Sequence, residues 1–578
     1  MQEDPTDGPT EELAVLTARA RDWQAEDPDP ETREELAKLI EAADHGELAA
    51  RFRGTLQFGT AGLRGELGAG PMRMNRSVVI RAAAGLAAYL REQGHASGGA
   101  AGTTPGLVVI GYDARHRSLD FARDTAAVMT GAGLRAALLP EPLPTPVLAF
   151  AIRHLGAVAG VMVTASHNPP RDNGYKVYLG GGSQIVPPAD AGIAAAIDAV
   201  GPLAGVPRPA SGWDVLGAEI VEAYLARTAA VLTPGAPREV RVVHTALHGV
   251  GSRTLHAAFV RAGFPAPLPV PQQAEPDPDF PTVSFPNPEE PGAMDLAFAT
   301  ARDAPVTAGA VDLVLANDPD ADRCAVAVPD PDADGGWRML RGDETGALLA
   351  AHLVHKRARG TFATTIVSSS LLSRIARSAE LPYEETLTGF KWLARVENLR
   401  YGFEEALGYC ADPDGVRDKD GITAALLIAE LAAELKLAGR SLTDLLDDLA
   451  VEHGLHATDQ LSVRVEDLSL IAAAMERLRA HPPTALAGLA VVSAEDLTEG
   501  TGALPPTDGL RYQLSGDPAA GVEKARVVVR PSGTEPKLKC YLEVVLPVGD
   551  RAALPTARAR AATVLAALKS DLGTAAGV

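Results

Sequence analysis

A layered α/β protein is the fold class this sequence predicts, on three observations. Apolar runs with strand character alternate with helix-patterned stretches through most of the chain, the mark of strands interleaved with covering helices. At 578 residues the chain is longer than one hydrophobic core organises, so roughly three to five domains are expected. Hydrophobic residues make up 46% of it, ample for a core in each.

Composition excludes several functions. The formal net charge is -21, whereas nucleic acids and anionic membrane surfaces require a basic footprint; neither is expected as a partner. A phosphate-bearing substrate would be opposed by that overall charge, so the Arg and Lys residues inside motifs carry more information than the total. Cys324, Cys410 and Cys540 lie far apart and form neither a metal-ligand cluster nor a disulfide framework. The start, Met1-Gln2-Glu3-Asp4, is acidic and lacks the basic and apolar parts of a signal peptide, and no apolar run is long enough to span a bilayer. A reducing cytoplasm is the expected location.

In chain order, residues 1–50 read as a helical extension with a packing role. Asp29-Pro30-Glu31 caps a helix that carries Leu36, Leu39 and Ile40 at helical spacing. Residues 51–212 read as the first α/β domain. Three glycines in Phe58-Gly59-Thr60-Ala61-Gly62-Leu63-Arg64-Gly65 mark sharply bent or closely approached backbone, with Arg64 its one charge. A helix over 77–91, a flexible low-complexity loop over 96–106 and a strand over 107–112 follow, and strand and helix continue to alternate through 121–131, 136–139 and 147–155. Asp113-Ala114-Arg115 ends a strand, where a structural ion pair is expected. The strand over 158–163 runs into Thr164-Ala165-Ser166-His167-Asn168-Pro169-Pro170. There the paired prolines, and Asn168 before them, restrict the chain to extended or turn geometry and hold Ser166 on a stiff loop facing a cleft. Asn173-Gly174 is read as the turn that folds Lys176 back toward Ser166. The side chains of Ser166 and His167 are expected to diverge as neighbours, and no GxSxG elbow is present, so a hydrolase dyad is not predicted.

Residues 213–330 read as a second α/β domain: a helix over 213–231, a strand over 241–244, a turn at His248-Gly249-Val250-Gly251, a proline-rich loop over 276–291 and a strand over 311–316. No GxGxxG or Walker sequence accompanies that turn. Asp318-Pro319-Asp320-Ala321-Asp322-Arg323 then places carboxylates at alternate positions of a loop, where curvature lets them converge on one hard cation. An EF-hand is excluded, because Arg323 stands where that loop needs glycine and Pro329 where it needs glutamate. In the third domain, 331–454, Lys391 lies in Thr388-Gly389-Phe390-Lys391-Trp392, and Glu404 and Glu405 lie in Gly402-Phe403-Glu404-Glu405-Ala406-Leu407-Gly408-Tyr409. Each segment follows a short apolar strand, and carboxylates there accept hydrogen bonds from sugar hydroxyls. In the last and smaller domain, 455–578, strands over 527–529 and 537–545 flank Arg530-Pro531-Ser532-Gly533-Thr534-Glu535-Pro536. Amides near Gly533, two hydroxyls and Arg530 suit a phosphate dianion.

Four of these segments, TASHNPPRDNGYKVY over 164–178, DPDADR, FEEALG and RPSGTEP, resemble in order the motifs of the alpha-D-phosphohexomutases, the phosphoglucomutase and phosphomannomutase superfamily. The resemblance implies three α/β domains with mixed sheets and a smaller C-terminal α+β domain around a central cleft. It implies that Ser166 carries the transferred phosphate and, with Asp318, Asp320 and Asp322, ligates one Mg²⁺. Arg64, Arg323 and Lys176 would surround the reacting phosphate, with Lys176 or His167 as general acid and base. Lys391, Glu404, Glu405 and Lys419 would bind substrate, and Arg530, Ser532, Gly533, Thr534 and Lys539 would hold the phosphate that does not react. Pro319 replaces the glycine usual in the metal loop, and Ala406 stands where the sugar loop usually has serine. With Asp418-Lys419-Asp420-Gly421, the second departure resembles the phosphoglucomutase-2 and phosphopentomutase branch. The implied reaction on a small phosphosugar is the exchange of glucose 1-phosphate and glucose 6-phosphate, with glucose 1,6-bisphosphate as intermediate and activator. Ribose, deoxyribose and mannose phosphates are the alternative substrates. A metal-dependent sugar phosphatase would leave the grip at Arg530 without purpose, and a non-catalytic sugar-phosphate sensor would not need Ser166 and three metal carboxylates.

Overall fold

The computed structural model describes residues 8–58, 62–95, 104–305, 309–465, 467, 469–502, 504–532 and 537–578. The chain divides into two compact units. The first comprises residues 1–232, 241–324 and 414–426; the second comprises 233–240, 325–413 and 427–578.

The first unit opens with helices α1 (Gly8–Glu26), α2 (Pro30–Glu41) and α3 (His45–Phe52). Asp29 caps α2 as expected, accepting from the Glu31 amide with Pro30 in the first turn. Leu36 packs with Leu16, Leu48 and Phe52 in a small core of their own. A six-stranded mixed sheet follows: β1 (Leu63–Glu66), β2 (Leu107–Tyr112), β3 (Arg135–Leu138), β4 (Ala159–Val163), β5 (Asp172–Leu179) and β6 (Asp214–Val215), in the order β1-β5-β4-β2-β3-β6. Strands β4, β2, β3 and β6 are parallel to their neighbours in that run, whereas β5 is antiparallel to both β4 and β1. Helices α4 (Arg76–Glu92), α5 (Ser118–Gly131), α6 (Thr145–His154) and α7 (Ala189–Asp198) belong to the same domain, and Ile80, Leu86, Phe121, Val161 and Ile193 share its core.

Two local readings need correction. The helix expected over 213–231 begins only at Glu219, because Asp214 and Val215 pair with Ala137 and Leu138 as the edge strand β6; tertiary pairing overrides local helical pattern. Asn173-Gly174 is not a turn. Both residues lie in β5, opposite Gly65 and Arg64 of β1. The chain reverses earlier, between Ala165 and Asp172, closed by Asn168 N–H to Ala165 O at 3.1 Å and Asp172 N–H to Pro169 O at 3.0 Å. Residues 96–103 of the expected flexible loop fall outside the described residues.

The first unit also holds three parallel strands, β7 (Val242–Thr245), β8 (Leu268–Pro269) and β9 (Leu313–Ala316), with β7 between the other two. In the second unit β10 (Ala325–Pro329) and β11 (Trp337–Met339) form an antiparallel pair. A four-stranded sheet follows: β12 (Thr361–Thr365), β13 (Tyr383–Thr386), β14 (Leu399–Glu404) and β15 (Gly408–Cys410), ordered β13-β12-β14-β15, with only β15 antiparallel. The C-terminal part is an antiparallel six-stranded sheet. Its strands are β16 (Leu455–Arg464), β17 (Ala485–Leu486), β18 (Leu489–Asp496), β19 (Leu510–Leu514), β20 (Lys524–Pro531) and β21 (Lys537–Leu546), in the order β16-β21-β20-β19-β18-β17. Helices Ser469–Ala480 and Leu554–Ala576 pack on it through Leu478, Leu565 and Leu568. The three cysteines are buried and form no disulfide, and no described helix is long and apolar enough to cross a membrane.

One buried carboxylate secures the second unit. Glu430 is fully buried and is hydrogen-bonded to the Thr233 amide at 2.6 Å and to His352 Nε2 at 2.8 Å, with Lys356 and Arg238 also paired to it. Burial alone would raise its pKa, but the bonds from His352, Lys356 and Thr233 pull it down to about 2. A depressed carboxylate stabilises the fold above its unfolded value of about 4.3 and loses that contribution as pH falls toward its folded value. Urea unfolding of Glu430→Ala is therefore expected to show a loss of about 3–5 kcal/mol at neutral pH, with a shallower fall in stability than wild type as pH drops from about 4.3 to about 2. Equal pH slopes in the two proteins would contradict this.

Candidate active site

Strand β4 runs into Ser166, whose backbone adopts a left-handed φ of 52°. Its side chain is almost wholly buried, and its Oγ donates to Asp318 Oδ2 at 2.8 Å. The expectation that the Ser166 and His167 side chains diverge is not met: Ser166 Oγ lies 3.2 Å from His167 Nδ1. The left-handed backbone at Ser166 bends the chain so that consecutive side chains turn toward each other. His167 Nδ1 is also 3.9 Å from Asp318 Oδ2, and on an Oγ already bonded to a carboxylate this does not make a hydrolase dyad.

Strand β9 delivers the acidic loop. Asp318, Asp320 and Asp322 are all fully buried, and each offers an oxygen within 4.8 Å of the others. Three cations answer them. Lys176 Nζ, from β5, lies 2.8 Å from Asp320 Oδ2 and 3.3 Å from Asp322 Oδ2. Lys419 Nζ lies 3.0 Å from Asp322 Oδ2. Arg323 Nε stands 3.9 Å from Asp318 and 3.8 Å from Asp322, and its amide donates to Asp318 Oδ1 at 3.1 Å. Burial and the neighbouring Asp320 and Asp322 charges push the Asp318 carboxyl well above the usual range. Asp320 is instead lowered, because Lys176 and Thr145 outweigh its burial. Burial opposes the charge of Lys176, but Asp320 and Asp322 raise its pKa overall.

This loop suits a divalent cation. Asp320 Oδ1 and Asp322 Oδ1 are buried without any hydrogen-bond partner, a costly state for a carboxylate oxygen unless an ion ligates it. All-oxygen donors match the preference of Mg²⁺.

Two close approaches of backbone make the arrangement possible. Gly62 has a φ of 78°, and a Cβ there would meet the carbonyl of Tyr175, next to Lys176, at 1.9 Å. Gly421 lies against the acidic loop, where a Cβ would meet Arg323 O at 2.3 Å; this places Lys419 beside Asp322. Arg64 donates to Asn168 Oδ1 of the serine loop at 3.0 Å. Gly59, Thr60 and Ala61 of its motif lie outside the described residues.

Sequence reading missed several partners. Thr145, at the start of α6, donates to Asp320 Oδ2 at 2.7 Å, and its amide donates to Asp320 O at 2.9 Å. Asp418 accepts from Tyr178 at 2.8 Å and Gln184 at 2.9 Å, steadying the segment before Lys419. Neither Thr145 nor Tyr178 lies in a charged or glycine-rich motif; only the folded pairing identifies them. Asp113 and Arg115 do form an ion pair, with Nε 3.5 Å from Oδ2, but Arg115 also reaches the serine loop, donating to Ser166 O at 2.7 Å.

The second unit carries the remaining predicted residues. Glu404 ends β14 opposite Gly408 of β15, and Glu405 follows in the connecting turn, where Ser368 Oγ donates to its Oε2 at 2.9 Å. Lys391 is buried in the short helix Phe390–Leu393, with its ammonium 5.1 Å from the Trp392 ring centroid. Arg530 and Lys539 face each other across β20 and β21, and Ser532 N–H bonds Lys537 O at 2.8 Å. Gly533 and Thr534 lie outside the described residues. Val528 and Tyr541 of the same strands pack with Ile366, Val367, Leu387 and Trp392, which ties the Arg530 strands to the Lys391 helix.

Four family models match successive parts of the chain: phosphoglucomutase/phosphomannomutase alpha/beta/alpha domain I over residues 55–202, domain II over 222–335, domain III over 341–452 and the C-terminal domain over 520–549. A probable phosphomannomutase of Haemophilus influenzae is 47% identical over 82% of this chain and 93% of its own length. A phosphopentomutase of Mus musculus is 35% identical over 94% of each chain. A phosphoglucomutase of Staphylococcus aureus is 32% identical over 86% of this chain and 91% of its own.

Replacing Asp320 or Asp322 by asparagine is expected to weaken Mn²⁺ binding to the purified protein, read by electron paramagnetic resonance, by at least about tenfold. Unchanged affinity in both variants would remove this loop as a cation site.

Proposed function

The chain belongs to the phosphoglucomutase/phosphomannomutase family, the alpha-D-phosphohexomutases, and on that premise we propose that it interconverts glucose 1-phosphate and glucose 6-phosphate through a phosphoserine and a 1,6-bisphosphate. The observation that carries this reading is the hydroxyl of Ser166, 2.8 Å from one of three buried carboxylates. A phosphoryl acceptor beside a cation loop is what phosphoryl transfer requires, since positioning and charge neutralisation supply most of the catalysis.

Asp318, Asp320 and Asp322, with Ser166, would hold one Mg²⁺, which when bound supplies neutralisation of charge on the transferring group. The remaining work falls to side chains. Phosphoserine 166 gives its phosphoryl to the free sugar hydroxyl: a bond forms from that oxygen to phosphorus, the bond from Ser166 Oγ breaks, the hydroxyl proton passes to a base, and the released Oγ takes a proton from a general acid. Return of the other phosphoryl of the bisphosphate to Ser166 reverses these changes and restores the enzyme. His167, with Nδ1 3.2 Å from Oγ, is assigned to proton exchange with the serine oxygen. Lys176 is held as an ammonium by Asp320 and Asp322, so charge neutralisation suits it better than proton abstraction; Arg64 and Arg323 share that task. Lys391, Glu404, Glu405 and Lys419 are assigned to the sugar. Arg530, Ser532, Gly533, Thr534 and Lys539 are assigned to the phosphate that does not react. Support for the last set comes from the pairing of Arg530 with Lys539 across one hairpin, two cations suited to a dianion.

A pentose phosphate is the second reading. Ala406 offers no hydroxyl where the family's sugar loop usually carries serine, and the murine relative that matches almost end to end is a phosphopentomutase.

Ser166→Ala is expected to lower kcat by at least about 10⁴-fold with an unchanged circular dichroism spectrum; substantial residual turnover would refute the phosphoserine. Arg530→Ala is expected to raise KM for every phosphosugar tested, by about tenfold or more, and an unchanged KM would remove that loop from binding. Steady-state assays across glucose, mannose, ribose and deoxyribose phosphates decide the substrate: a higher kcat/KM for a pentose phosphate than for glucose 1-phosphate overturns the first reading in favour of the second.

A further inference from the structure

Arg115 is buried among backbone carbonyls of the serine loop. Nη2 donates to Ser166 O at 2.7 Å and Asn168 O at 2.6 Å, and Nη1 donates to Pro169 O at 2.8 Å and Asp172 O at 3.1 Å. On its other side Nε faces Asp113 Oδ2 at 3.5 Å, while Asp113 Oδ1 accepts the Arg115 amide at 3.0 Å and the Ser118 hydroxyl at 2.7 Å. The Phe280 ring covers the guanidinium, with Cζ 4.9 Å from its centroid. Every acceptor on the loop is main chain.

Four carbonyl oxygens turned to one point repel each other, and only a cation with several donors in a fixed plane satisfies them together. The span of the contacts matters as well. They begin at the carbonyl of Ser166 itself and end at Asp172, where β5 begins, so one side chain ties both ends of the reversal. Asn168, inside that span, bridges Arg64 at 3.0 Å and Asp172 Oδ2 at 2.9 Å, so displacement of the loop would also move the Arg64 contact.

We propose that Arg115 is a positioning residue for phosphoryl transfer, fixing Ser166 Oγ at the acidic loop by caging the carbonyls of Ser166, Asn168, Pro169 and Asp172, with Phe280 holding the guanidinium in place. The inference rests on the mutase reading above. It acts on the serine's placement and not on the affinity for sugar, so its signature is a loss confined to kcat.

The test uses the full-length wild type, Arg115→Lys and Phe280→Leu. Three measurements are made on each: kcat and KM for a hexose 1-phosphate, the rate at which labelled phosphate passes from glucose 1,6-bisphosphate to Ser166, and the melting temperature. Lysine keeps the charge but cannot span the four carbonyls. Arg115→Lys is expected to lose about a hundredfold in kcat, the scale of an ångström's misplacement of a reacting group. Its KM should stay within about threefold of wild type, with labelling slowed in parallel. Phe280→Leu keeps every hydrogen bond and is expected to lose about three- to tenfold in kcat, again without a change in KM. If Arg115→Lys does not fold, Phe280→Leu decides. Wild-type kcat in the folded variants overturns the proposal, as does a loss that appears in KM or one that tracks only the folded fraction. A wild type that takes no label and turns over no phosphosugar overturns the mutase reading itself, and the inference with it.

Discussion

Burying three carboxylates on one loop is the demand that organises the first unit. Removing even one unpaired ion from water costs several kcal/mol, and Asp318, Asp320 and Asp322 are all fully buried. Each element that reaches the loop brings compensation. Strand β5 brings Lys176, the segment before Gly421 brings Lys419, the loop itself brings Arg323, and the start of α6 brings Thr145. Even so, one oxygen each of Asp320 and Asp322 is left without a hydrogen bond. Those two oxygens are the donors left over for a further cation, and the carbonyls of Tyr175 and Arg323 leave no room for a side chain at Gly62 and Gly421.

The protein's net charge of -21 is no obstacle to an anionic substrate when seen at this scale. Exposed charges are screened over about 8 Å at physiological ionic strength. Buried cations at contact distance act through a lower dielectric and dominate what a phosphate meets. Lys176, Lys419 and Arg323 around the acidic loop, with Arg64 on the serine loop, offset the three carboxylates locally, whatever the sign of the remaining surface.

Much of the architecture was legible because it depends on short-range pattern. The strand at 107–112, the cap at Asp29 and the carboxylate spacing of the acidic loop all follow from residues within one turn or strand of each other. What escaped depends on contacts distant in sequence. Asp214 and Val215 became an edge strand because β3 offered an unpaired side. Asn173-Gly174, a turn pair by local preference, is held extended against β1, with the Thr164 amide donating to Gly174 O. Thr145 looks like an ordinary residue after a proline until Asp320 is placed beside it. Arg115 looks like half of an ion pair until the carbonyls of residues far along the chain close around it.

The stiffness of the serine loop shows how the two kinds of information combine. Prolines at 169 and 170 fix their own φ and bias Asn168 toward extended geometry, but that influence does not extend back to Ser166. A left-handed φ at a non-glycine residue costs about 1–3 kcal/mol and persists only where the surroundings impose it. Here both peptide groups flanking Ser166 are held: its amide donates to Thr164 Oγ1 at 2.8 Å, and its carbonyl accepts from Arg115 at 2.7 Å. With the backbone clamped on both sides, the rotation about Cα–Cβ is the one remaining freedom, and the hydrogen bond to Asp318 selects it. A hydroxyl constrained in this way has little entropy left to lose in a reaction, which is a property of the folded contacts and not of the proline pair that follows it.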